Sequence, residues 1–202
     1  MPKGKKKTES RGAGLEEYLE GTVFLDLWRD KMFLGQEFLT WLYLTSEKNN
    51  HFFELPGGDG VEAFFENRLT LSHGRGNNRR SVAITTTEEP RDPDWDEAYT
   101  AIGNNKRVIK GTLRVKAENR EWRLTLPHDT LSPQGVKLSA VKDPAETDDL
   151  GKAGKFLDKI ALTAELVSIV DELFSLFLSR RLSETWLTED VPRLKEYLSS
   201  RT

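Results

Sequence analysis

From Arg107 to Leu126 apolar and charged residues alternate with a period of two, and this stretch constrains the fold more than any other. Ile109, Leu113, Val115 and Ala117 fall on one parity, and Lys106, Lys110, Arg114 and Lys116 on the other. Successive side chains of a strand point to opposite faces, so the pattern predicts a strand half buried and half in water. Asn119-Arg120 supplies a turn, after which Trp122, Leu124 and Leu126 face inward from the returning strand. A hairpin with one such apolar face requires a cover.

The same period recurs upstream, where Val61, Ala63, Phe65, Leu69 and Leu71 share one parity and Glu62, Glu66, Arg68, Thr70 and Ser72 largely fill the other. His51 to Leu55 reads as a short strand ended by the turn Pro56-Gly57-Gly58-Asp59-Gly60. Gly74-Arg75-Gly76-Asn77-Asn78 leads into a strand from Arg80 to Thr87 with Val82 and Ile84 in phase, which makes a second hairpin. Val136 to Val141 reads as a last short strand.

Two apolar helices supply the cover. Between Asp26 and Lys48, Leu27, Trp28, Phe33, Leu34, Phe38, Leu39, Trp41 and Leu42 span a face too wide for a surface helix. Gly35 inside it marks either a close approach of another element or a break between two helices. From about Leu150 to Leu182, Phe156, Ile160, Ala164, Val167, Val170, Phe174 and Phe177 form a stripe that Leu166, Ile169, Leu173 and Leu176 widen, so burial against the sheet or a partner helix is expected. Asp92-Pro93-Asp94 starts a short helix reaching Ile102, and Ser183 is an N-cap for a last helix from Trp186 to Leu198 with a break near Pro192. The expected fold is α+β: an antiparallel sheet of five to six strands flanked by an N-terminal helix and a long C-terminal helix. Residues 1–14 read as a disordered basic tail and 15–202 as a single domain, with helices over 15–48, the sheet over 51–141 and helices over 150–200.

Composition removes several functions. The chain has no cysteine, which excludes disulfides, thiol nucleophiles and cysteine-ligated zinc. No apolar run follows Lys3, Lys5, Lys6 and Lys7, and the long helix carries Asp158, Lys159, Glu165, Asp171 and Glu172, so neither a secretory signal nor a membrane span is expected and the protein is placed in the cytoplasm. His51, His73 and His128 lack a second ligand at helical spacing, and Ser72-His73 are adjacent on a strand and point apart. Asp92 to Glu97 lacks the glycine of a calcium loop, and neither glycine cluster has the spacing of a phosphate-binding loop. No catalytic residue, metal or cofactor is nominated.

The basic residues are more informative. Lys106, Lys110, Arg114 and Lys116 lie in phase on one strand, Arg120 and Arg123 continue the charge through the hairpin, and Arg75, Arg79 and Arg80 belong to the other hairpin. If the hairpins adjoin, these cations form a surface for duplex phosphates, with Asn77 and Asn78 as further donors; the alternative is a solvated face with edge-protecting lysines. The formal net charge of -3 gives no global attraction to DNA, so any binding is local.

Phe33-Leu34-Gly35-Gln36-Glu37-Phe38-Leu39-Thr40-Trp41-Leu42-Tyr43-Leu44-Thr45-Ser46-Glu47 resembles the "GREFLTWLW…SE" string of a divergent bacterial group of RdgC-like, recombination-associated proteins. Gly135-Val136-Lys137-Leu138 resembles its "GLKL" strand, and Leu173 to Trp186 its "LF-x-x-FL-x-x-R-x-S-x-x-W" helix. The likeness is to the C-terminal extension of that group and not to the part that forms rings around DNA, and Gln36 stands where the group has arginine. It implies a DNA-associated accessory role linked to recombination or replication, without implying encirclement. The competing expectation is an interaction module, or a phage-borne accessory factor, that docks on a protein partner or on itself through its apolar C-terminal helix.

Overall fold

The computed structural model describes residues 33–73, 80–85, 96–138 and 149–201. The basic tail, the helix expected before Phe33, the Gly74–Asn78 loop with Arg75 and Arg79, the Asp92-Pro93-Asp94 helix start and the acidic linker after Val141 lie outside them. Apart from Phe33, every element below belongs to one compact unit, Leu34–Thr202.

In chain order the elements are α1 (Phe33–Lys48), β1 (Phe52–Glu54), β2 (Gly60–His73), β3 (Arg80–Thr85), α2 (Asp96–Gly103), β4 (Arg107–Ala117), β5 (Arg120–Pro127), β6 (Gln134–Leu138), α3 (Asp149–Arg181), a π-helical turn (Trp186–Asp190) and α4 (Val191–Ser199). The sheet is antiparallel, in the order β1-β2-β4-β5-β6, with β3 also on β2. Because β4 runs along one edge of β2, β1 and β3 share the other, β1 beside residues 60–62 and β3 beside 68–73. The expected α+β architecture is therefore present, and both hairpins belong to one sheet.

The hairpin β4–β5 pairs Leu113 with Leu124 and Val115 with Trp122, as the alternation requires. Ile109 departs from the expectation. β2 pairs Thr70 with Lys110 but Leu71 with Val108, so Ile109 is the extra residue of a bulge and Val108 takes the buried position. A second irregularity sets Glu66, Asn67 and Arg68 of β2 against Thr112 alone, between the pairs Phe65–Leu113 and Leu69–Gly111.

The apolar face carries Ala63, Phe65, Leu69, Leu71, Leu113, Val115, Trp122, Leu124 and Leu126, all buried. Onto it packs α1, which is buried on nearly every side: Phe38, Leu39, Leu42 and Tyr43, and with them Gln36, Glu37, Thr40 and Ser46. Its polar groups find partners across the core. Thr40 Oγ1 accepts from the Val108 amide at 3.0 Å, and Ser46 Oγ donates to the Ala63 carbonyl at 2.7 Å. The helix continues through Gly35, where a Cβ would stand 1.8 Å from the His128 carbonyl oxygen, so this glycine serves close approach. Gly111 answers the same need on the sheet, since a Cβ there would meet the Phe65 ring at 2.4 Å.

Aromatic rings join α1 to α3 and to the π-helical turn: Phe38 meets Phe174 edge-on at 5.2 Å and Trp41 lies 5.5 Å from Phe177, which in turn meets Trp186 at 6.0 Å. Trp122 Nε1 donates to the Leu162 carbonyl at 3.1 Å and ties α3 to β5. From Leu166 onward α3 buries Leu166, Ile169, Val170, Leu173 and Phe177, whereas Phe156, Leu157, Ile160 and Val167 are exposed. The single wide stripe expected from the sequence is thus two surfaces, one packed and one open. Ser183 does not cap the last helix. Its hydroxyl donates to the Arg180 carbonyl at 2.7 Å and closes α3 instead, while Thr185 precedes the π-helical turn without a side-chain cap.

Candidate functional site

The opposite face of the sheet carries the charge. Alternation along the strands brings six cations that reach solvent onto it: Arg68 of β2, Lys110, Arg114 and Lys116 of β4, Arg123 of β5 and Lys137 of β6. Glu54, Glu62, Glu66 and Glu121 share the face, so these six cations and four carboxylates together carry a net two positive charges in a chain that is formally -3.

Glu66 organises the centre. Only 1% exposed, it receives Arg114 from the adjoining strand and Arg123 from the strand beyond. The irregular stretch at Glu66–Arg68 also places Asn67 Oδ1 where Arg123 Nη2 donates to it at 3.2 Å. Arg114 reaches Glu121 Oε1 with Nη1 at 3.1 Å, and Lys116 Nζ lies 3.2 Å from Glu62 Oε2. Arg114 is therefore spent on two carboxylates and acts as a strut. Lys110, Lys137 and Arg68 are exposed and make no ion pair among the described residues, so their charge is directed to solvent.

The face holds an aromatic ring as well. Phe64 is buried beneath Arg114, whose Cζ is 5.8 Å from its centroid, and Lys116, whose Nζ is 5.4 Å away, with the His51 ring at 5.0 Å. The two cations cover the ring, which supports the cationic layer from below and offers no stacking platform.

Of the seven cations expected to meet phosphates, Lys110, Arg114 and Lys116 share this face. Lys106 precedes β4, its carbonyl accepting from Arg107 Nη1 at 3.1 Å. Arg80 occupies the β3 position paired with His73, whose parity is that of Ile84 on the apolar side. Arg75 and Arg79 lie outside the described residues. Arg120 belongs to the other side of the sheet, where it pairs with Glu165 of α3. Arg68 and Lys137 were not among the expected contacts. The polar parity of β2 and the Lys137 position in the short last strand were the available signals for them.

Three further polar constellations lie within the fold. Glu37, 1% exposed, accepts from Arg181 Nε at 2.9 Å, while its Oε2 has no hydrogen-bond partner among the described residues. Burial pushes this carboxyl up to about 7, against the pull of Arg181 and Arg107, and burial likewise lowers Arg107. Tyr99 donates to Glu47 Oε2 at 3.4 Å and lies 3.5 Å from the Tyr197 hydroxyl, and burial raises Tyr43 and Tyr99 above the usual phenol range. His51 Nδ1 lies 3.0 Å from Ser46 Oγ. Because that hydroxyl gives its proton to the Ala63 carbonyl, the imidazole donates to it, the reverse of what a serine nucleophile needs. No group of three metal-ligating side chains occurs among the described residues.

No family model, curated protein or solved structure matches the chain. Among the described residues no helix is long and apolar enough to cross a membrane.

Proposed function

We propose that this protein is a non-enzymatic, DNA-associated accessory factor that lays the charged face of its sheet along duplex phosphates. The observation that carries the reading is the convergence of Arg68, Lys110, Lys116, Arg123 and Lys137 on one face, over a local net positive charge. Neighbouring strands lie about 4.8 Å apart and alternate residues about 6.6 Å apart, so the ammonium and guanidinium groups form a grid able to meet several phosphates at once. Such contacts are independent of base sequence. The resemblance to RdgC-like proteins supports a place beside recombination or replication, in the cytoplasm, without encirclement of DNA.

Fluorescence anisotropy with a short labelled duplex, titrated over a range of salt, tests the proposal. Binding is expected to weaken linearly in log salt. The double variant Lys110→Glu with Lys137→Glu is expected to flatten that slope by about 2, since each phosphate contact contributes roughly 0.9. Absence of duplex binding at low salt, or a slope untouched by the double reversal, overturns it.

A further inference from the structure

The N-terminal half of α3 carries a seam for which the described fold provides no cover. Ala153, Leu157, Ile160, Ala164 and Val167 recur at alternating spacings of four and three, the repeat by which one helix packs knobs into the holes of another. Of these, Leu157 is 64% exposed, Ile160 51% and Val167 40%, and Ala164 is exposed too. The packed face of α3 begins only at Leu166 and points away from this seam. Apolar side chains at this spacing leave water most completely when a second helix packs along the stripe.

We infer that the seam pairs with the same seam of a second copy, antiparallel, about a two-fold axis near Leu162. In that register Leu157 of one copy faces Val167 of the other and Ile160 faces Ala164, so a larger side chain meets a smaller one and each contact occurs twice. Charge selects the direction. The next position of the repeat is Asp171, which is exposed. Antiparallel pairing sets it against position 153 in the first turns of the other copy's helix, near the positive end of the helix dipole. Parallel pairing sets Asp171 against Asp171. A self-complementary seam that places its one acid beside the helix's own N-terminus matches a second copy of this chain better than an unrelated helix. The inference stands apart from the DNA reading.

Light scattering on the full chain across the micromolar range is expected to give twice the chain mass of 23.1 kDa. Ile160→Glu is expected to weaken self-association roughly tenfold or more while leaving the circular dichroism melt in place, since Ile160 is half exposed. Direction is read with engineered thiols, which the cysteine-free chain reports cleanly. Leu157→Cys and Val167→Cys are expected to form a disulfide dimer when mixed, and neither to do so alone. A monomer at every concentration, a dimer indifferent to Ile160→Glu, or Leu157→Cys cross-linking to itself overturns the inference.

Discussion

The carboxylate of Glu37, near the start of α1, accepts a hydrogen bond from Arg181 Nε, at the end of α3, at 2.9 Å. The two residues are 144 positions apart, and the pair joins the two long helices in a place from which water is nearly excluded from the acid. Burial outweighs the attraction of Arg181 and Arg107, so the folded protein holds the Glu37 proton more tightly than the unfolded chain does.

Stability is therefore expected to depend on pH with a definite sign. With the carboxyl raised from 4.5 to about 7, its contribution is fully present below pH 4.5 and is lost as pH rises through 7. The loss amounts to roughly 3 kcal/mol. Urea unfolding of the wild type and of Glu37→Gln at a series of pH values checks this. The variant should show a flatter dependence across that window, and equal slopes would refute the assignment.

Glu66→Gln should separate stability from binding. It removes the buried charge that holds Arg114 and Arg123, and because both guanidinium groups keep access to water the cost is about 1–3 kcal/mol, that of weakened charge-assisted hydrogen bonds. It also leaves the face one charge more positive. The melting temperature should fall while duplex affinity at low salt rises, and a variant weakened in both respects would show that Glu66 mainly keeps the face assembled.

Gly35→Ala should be among the most damaging single-methyl changes in the chain. The new Cβ would stand 1.8 Å from the His128 oxygen, and because that atom is backbone the helix itself must shift. A loss of about 3 kcal/mol or more is expected in chemical denaturation.

Thr40→Val should leave the Val108 amide without the hydroxyl that accepts from it at 3.0 Å. Shape is nearly preserved, so the cost reads as an unsatisfied buried donor, about 1–3 kcal/mol. Hydrogen exchange at Val108 should accelerate relative to its neighbours in β4.

What the sequence reveals of this fold follows from how local each signal is. The β4–β5 hairpin is legible because its alternation and its turn lie within a single stretch, and the same holds for the in-phase set Lys110, Arg114 and Lys116. Ile109 is misread because a bulge shifts the parity with no change of composition. The stripe on α3 reads correctly as apolar, yet nothing local tells Leu173, which is buried, from Ile160, which is not. That Arg114 is neutralised by Glu66 and Glu121 is likewise invisible, since the pairing depends on strand order.

The divided outer edge of β2 has a bearing on solubility during folding. A long strand with one flank free would offer an unbroken row of amides and carbonyls to any other extended chain. Here that flank is shared between a three-residue strand and a six-residue strand, with Glu66 and Asn67 in the stretch between the two pairings and Arg68 at the first pair of the second. An incoming strand finds no continuous template, so amyloid-like growth from this edge is opposed by the topology itself.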